Sequence, residues 1–200
     1  MWSSSRSVSD DYNCANQGRW PHNVVMKLRT GILSVCLIVL LSVAVSPLQA
    51  QHMGELFVEQ QDGLQEKLVG LAEAIPADKY GWSPNPGVMT VAQVLTHVAG
   101  GNYMFPQFVG AEAPAGFDRK ALAGLTDKAA IVAQLKESFT HSRKAFAALS
   151  HDDVHKEIKM FGQETTVAGM LMLMANHQHE HLGQMIAYGR SNGVVPPWSK

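Results

Sequence analysis

The chain has 200 residues and a nearly balanced charge, 16 Lys and Arg against 17 Asp and Glu, with no basic stripe anywhere along it. That argues against a nucleic-acid partner, because holding a phosphate backbone needs clustered cations. Both cysteines, Cys14 and Cys36, lie before residue 50, so the domain that follows has no disulfide and no thiol nucleophile, and packing, with or without a metal, must hold it.

Residues 1–25 show no apolar periodicity and are rich in Ser, Asn and Arg; they are expected to be a non-native or disordered extension ahead of a natural start at Met26. From there Lys27 and Arg29 supply a basic start, Ile32 to Val45 an apolar run, and Ser46 to Ala50 a small-residue exit. This is the layout of a signal peptide over residues 26–50, cleaved after Ala50, and it predicts export to the periplasm or beyond the cell. The run falls short of the ~20 residues of a membrane span, so no span is expected to remain after cleavage; an uncleaved N-terminal anchor is the alternative. Residues 51–200 have the size of one domain with a single core.

Four segments of helical period fill that domain. The first, residues 52–74, carries Leu56, Phe57, Leu64, Leu68, Leu71 and Ile75 as its stripe and stops at Pro76. Residues 80–87 form a breaker-rich loop containing Tyr80 and Trp82. The second helix opens on a capping box, Thr90 with Gln93, and runs to about Phe108 with Val94, His97, Gly101, Met104 and Phe108 inward. Residues 110–125 read as a connecting loop. The third helix starts at Thr126-Asp127, with Ile131, Leu135, Phe139, Phe146 and Leu149 on its stripe, and closes over residues 150–153. Residues 154–163 read as a brief extended turn, without a strand. The fourth helix follows Thr165-Thr166 and runs to Ser191, where Asn192-Gly193 stops it. Its inward seam is Met170, Met174, His177, His181, Gln184 or Met185, and Tyr188, in alternating steps of four and three.

Histidine in a bundle core has two ring nitrogens that need partners. A lone one is commonly hydrogen-bonded. His177 and His181 share one helix face, one turn apart, and His97 lies on another seam, so a single divalent cation could accept all three if the second and fourth helices are neighbours. Three ligands leave a position open for water or substrate. Spacing alone leaves this reading level with a buried hydrogen-bonded cluster. His179 points the other way, and Gln178 stands where a zinc protease of the His-Glu type needs its glutamate, which disfavours that activity.

Residues 87–97 (Gly-Val-Met-Thr-Val-Ala-Gln-Val-Leu-Thr-His), residues 176–184 (Asn-His-Gln-His-Glu-His-Leu-Gly-Gln) and the closing Asn-Gly-Val-Val-Pro-Pro-Trp-Ser together resemble the DinB-like family. The resemblance implies an all-α four-helix bundle with a three-histidine divalent-metal site, its ligands mapping onto His97, His177 and His181. Zinc or nickel is the expected ion, with iron also suited to imidazole. Bundles of the family pair through helix faces, which implies a homodimer. The family includes thiol-dependent transferases and isomerases acting on small electrophiles, in which the metal holds a thiol as thiolate. By that analogy Gln184 or Tyr188 would orient the thiol. Trp82 and Trp198 are candidates to wall a pocket for a small molecule, with burial as plain core the favoured reading of each. Export weakens this reading, since small thiols are expected mainly inside cells. Metal-assisted hydrolysis is the second reading, although Glu180 lies about 100° off the metal face and reads as a surface carboxylate. A non-catalytic metal- or ligand-binding module of the cell envelope is the third.

Overall fold

The computed structural model describes residues 53–199; the extension at 1–25 and the signal pattern at 26–50 lie outside them. Four long helices, α1 (Met53–Ala74), α2 (Val91–Met104), α4 (Lys128–Ala147) and α5 (Val167–Ser191), make up the body. A short helix α3 (Arg119–Ala123) sits between α2 and α4, and a hairpin of β1 (Glu157–Met160) and β2 (Gln163–Thr166) precedes α5. Helices α4 and α5 each pack against both α1 and α2, so α1 and α2 face one another across the diagonal. Among the described residues, no helix is long and apolar enough to cross a membrane.

Helix starts follow local chemistry. At α2 the Thr90 hydroxyl accepts from the Gln93 amide at 3.2 Å, while the Thr90 amide donates to Gln93 Oε1 at 2.8 Å, which satisfies two otherwise orphaned donors. Asp127 caps α4 by accepting from Ala130 N, and Thr166 caps α5 by accepting from Gly169 N. The helix expected to reach Phe108 ends at Met104, where a 3-10 turn (Phe105–Val109) containing Pro106 takes over and ends on Gly110 in the left-handed region.

The core has two apolar parts. One gathers Leu68, Leu71, Val94, Leu95, Leu135 and Phe139; the other gathers Phe57, Phe105, Phe146, Met170, Leu171 and Met174. A polar layer runs between them. Ser142 Oγ donates to Gln61 Oε1 (3.1 Å), Gln61 Nε2 to Gln178 Oε1 (3.4 Å), and Gln178 Nε2 to Asn102 Oδ1 (2.8 Å). Asn102 Nδ2 then donates to Ser138 Oγ (3.1 Å), and that hydroxyl to the Leu135 carbonyl (2.8 Å). Every link donates in the same direction, and the layer ties all four long helices at one height. A buried network satisfied in this way holds register, and one missing link leaves an orphan costing about 1–3 kcal/mol.

Several expectations from sequence need correction. The loop expected over residues 110–125 contains α3, capped by Asp118. The turn expected over residues 154–163 is a hairpin, whose tip places Phe161 at φ 51 and Gly162 at φ 81. Positive φ at both turn residues matches the strand twist, but a phenylalanine there lacks the Asn-Gly signature, and β2 is entirely polar. Leu56 is 61% exposed and so leaves the α1 stripe, in which Gln61, 1% exposed, is buried instead. His97 is not a core position. Helix α2 is buried nearly all round, and Gln93 and His97 are its exposed residues, which opens that one strip of the helix to a cleft.

Candidate metal centre

His97 comes from α2, and His177 and His181 come from successive turns of α5. Their ligating nitrogens all lie within 4.8 Å of one another, with His97 Nε2 and His177 Nε2 2.9 Å apart. The α2–α5 contact lets the rings meet because α2 carries Gly101 opposite His177. A Cβ there would stand 3.2 Å from His177 Cε1, tighter than an ordinary van der Waals contact. No other histidine joins them among the described residues. His179 and Glu180 are exposed, and the His179 ring bonds its own helix at the Ala175 carbonyl, as the helical period predicted.

A chain of hydrogen bonds stands behind His181. Its Nδ1 donates to Gln184 Oε1 (2.9 Å), Gln184 Nε2 donates to the Tyr188 hydroxyl (2.9 Å), and that hydroxyl donates to the Met89 carbonyl (3.0 Å). The Trp82 ring meets Tyr188 edge-on at 5.2 Å. An amide oxygen on Nδ1 selects the tautomer whose Nε2 carries the lone pair, which is the state a metal ligand requires. Gln184 and Tyr188 thus stand behind the centre on successive turns of α5, with Trp82 from the loop before α2 packed against Tyr188.

The electrostatics favour neutral rings. Burial, then His181 and His97, pushes the His177 pKa down to about 4. His97 keeps contact with solvent, yet the protein packed around its ring, together with His181 and Arg119, lowers its pKa as well. Gln178, between His177 and His181 on α5, faces the opposite way into the polar layer and is 1% exposed. It holds the height of His177 and His181 against α2 without touching the centre.

On the open side of His97 lies a cleft of about 560 Å³, lined among others by Met89, Gln93, Thr96, Gly100, Arg119 and Leu122. Sequence reasoning missed Arg119 altogether, because it sits in the short helix read as loop. It also missed the polar layer, whose only signal is that Gln61, Asn102, Ser138 and Ser142 interrupt otherwise apolar stripes.

Comparison with known proteins agrees with this architecture. The family model of the DinB superfamily matches residues 60–185. A DinB-like protein from Bacillus cereus is similar in structure, with a TM-score of 0.63, 19% identity, and coverage of 70% of this chain and 93% of that one. A DinB-like protein from Bacillus subtilis gives a TM-score of 0.55 at 21% identity, covering 70% and 92%. YfiT from Bacillus subtilis, described as a probable metal-dependent hydrolase with an unusual four-helix bundle topology, gives 0.57 at 18% identity, covering 71% and 89%. No curated protein matches the sequence. At these identities the structural likenesses speak for the fold, and the match of the family model over residues 60–185 shows that the chain belongs to the DinB superfamily.

Proposed function

We propose that His97, His177 and His181 hold one divalent cation through their Nε2 atoms and that the protein is a metal-dependent enzyme acting on a small molecule. The observation that carries the reading is the convergence of three ring nitrogens within 4.8 Å, with lowered pKa values at His97 and His177 and a fixed tautomer at His181. The residues fit such an ion: three neutral imidazoles suit zinc or nickel, and iron(II) as well. Gly101 supplies the room that the His177 ring needs. Bound there with a position open, the cation would act as a Lewis acid and favour the deprotonated form of a water or thiol. The protein's own part is to keep the His97 and His177 rings neutral, to orient His181 through Gln184 and Tyr188, and to admit ligand from the cleft beside His97.

Of the two reactions, thiol transfer fits the cleft better. Its polar lining is Gln93, Thr96, His97 and Arg119, with no carboxylate to serve as a base, and a thiol delivered to a cation needs none. Hydrolysis is the second reading, supported by the likeness to YfiT. The pattern at residues 26–50 supports an exported protein, and cell fractionation with N-terminal sequencing tests that part separately.

The central test is metal analysis of the purified protein, with His97→Ala and His181→Ala beside it. One equivalent of divalent ion in the wild type, and loss of it in both variants with helical content intact, is expected; no ion in the wild type would sink the proposal. A panel of thiols with a chloro-aromatic electrophile then reads transfer. Metal binding without thiol-dependent or hydrolytic turnover would leave a binding module in place of an enzyme.

A further inference from the structure

We propose that the cleft beside His97 is an anion pocket, in which Arg119 receives a carboxylate of the ligand while the ligand's other end meets the three histidines. This names the substrate class of the same centre and rests on the metal-centre reading.

The volume of about 560 Å³ is that of a small-molecule site. Arg119 is the one permanently charged side chain in its lining. No carboxylate among the described residues forms an ion pair with it. The guanidinium contact recorded for Arg119 is Nη1 to Met104 Sδ at 3.8 Å, and a thioether is a weak acceptor. Most of its five donors are therefore available for a planar, two-pronged acceptor such as a carboxylate.

The rest of the lining supports the same sign of ligand. Gln93 Oε1 is engaged by the Thr90 amide, which leaves the Gln93 Nε2 donor for the cleft. The Thr96 hydroxyl donates back to its own helix, to the Ala92 and Gln93 carbonyls. Gly100 contributes no side chain to the floor. The cleft thus offers donors and a positive charge and no competing acid. Arg119 and His97 line the same cleft, so one molecule can reach both.

The probes are 3-mercaptopropionate and 6-mercaptohexanoate, each compared with the alcohol of equal chain length; two lengths cover the span from guanidinium to histidines. Binding is followed on metal-loaded and metal-free protein by the Arg119 side-chain N–H signal in NMR, assigned by its loss in Arg119→Gln. On loaded wild type, at least one carboxylate is expected to bind about tenfold or more tighter than its alcohol. Arg119→Gln abolishes that preference with alcohol affinity and metal content unchanged, and raised salt weakens it. Equal affinities for both pairs in the wild type, or a preference that survives Arg119→Gln, overturns the pocket. Should Arg119→Gln not fold, Arg119→Met takes its place, and the wild-type comparison stands without either. Failure to load metal defeats the metal reading alone. The metal-free titration then decides the pocket by itself: a saturable Arg119 shift with carboxylate and not with alcohol supports it, and no shift refutes it.

Discussion

Replacing Gln184 with methionine removes the relay behind His181 at nearly constant volume. The wild-type amide accepts from His181 Nδ1 at 2.9 Å and donates to the Tyr188 hydroxyl at 2.9 Å, and Gln184→Met deletes both bonds. Tyr188 keeps its bond to the Met89 carbonyl and, being part of a wall with Trp82, has no reason to move. His181, 7% exposed, loses the acceptor that holds the proton on Nδ1, so its Nε2 lone pair is no longer guaranteed. Loss of an orienting partner of a metal-bound histidine costs about 10–100-fold in affinity, or about 1.4–2.8 kcal/mol. The metal-free fold loses both of these partly buried hydrogen bonds, about 1–2 kcal/mol, which lowers Tm by roughly 2–8 °C for a domain of this size. Competition against a chelator of known affinity reads the first quantity, and thermal melting of the stripped protein reads the second. An unchanged metal affinity beside a lowered Tm would refute the reasoning, since the relay would then be a packing element only.

Three further predictions follow from the geometry. Gln178→Leu breaks the polar layer at its centre and leaves the Asn102 carbonyl without its amide donor; the expected loss is about 2–4 kcal/mol in urea unfolding, and a loss below about 1 kcal/mol would contradict a cooperative network. Gly101→Ala pushes a Cβ to 3.2 Å from His177 Cε1 while improving helix propensity by about 1 kcal/mol, so metal affinity should fall with little or no fall in metal-free Tm. An equal drop in both would point to general disruption. The metal-free protein should also lose stability on acidification. The His177 pKa is lowered to about 4 from an ordinary value of 6.5, so between those values the unfolded chain binds the extra proton. The contribution is complete above about pH 6.5 and is lost progressively as pH falls towards 4. Tm measured across that window should slope more steeply for wild type than for His177→Gln, and parallel slopes would remove His177 as the cause.

The parts of the site that were legible in sequence are those set by local period. His177 and His181 share a face because four residues make about one turn, and His179 and Glu180 leave that face for the same reason. Thr90 and Gln93 form the capping box that their spacing announced. The hairpin was not legible, because Gln163 to Thr166 has no apolar alternation and the turn residue Phe161 takes a backbone conformation its type disfavours. Gln178 drew notice only as a missing glutamate, and its partners Gln61 and Asn102 lie far from it in sequence.

By itself the sequence determined four helices, their capped starts and a pair of imidazoles on one face, since each depends on interactions within a few residues. Tertiary structure decided everything that depends on which helices are neighbours. It brought His97 within 2.9 Å of a ring eighty positions away. It turned Gln184 and Tyr188 into a relay anchored on Met89, and it placed Arg119 of a five-residue helix over the one exposed strip of α2. Helix period is a property of the chain, whereas the meeting of α2 and α5 at Gly101 is a property of packing, and the centre exists where the two coincide.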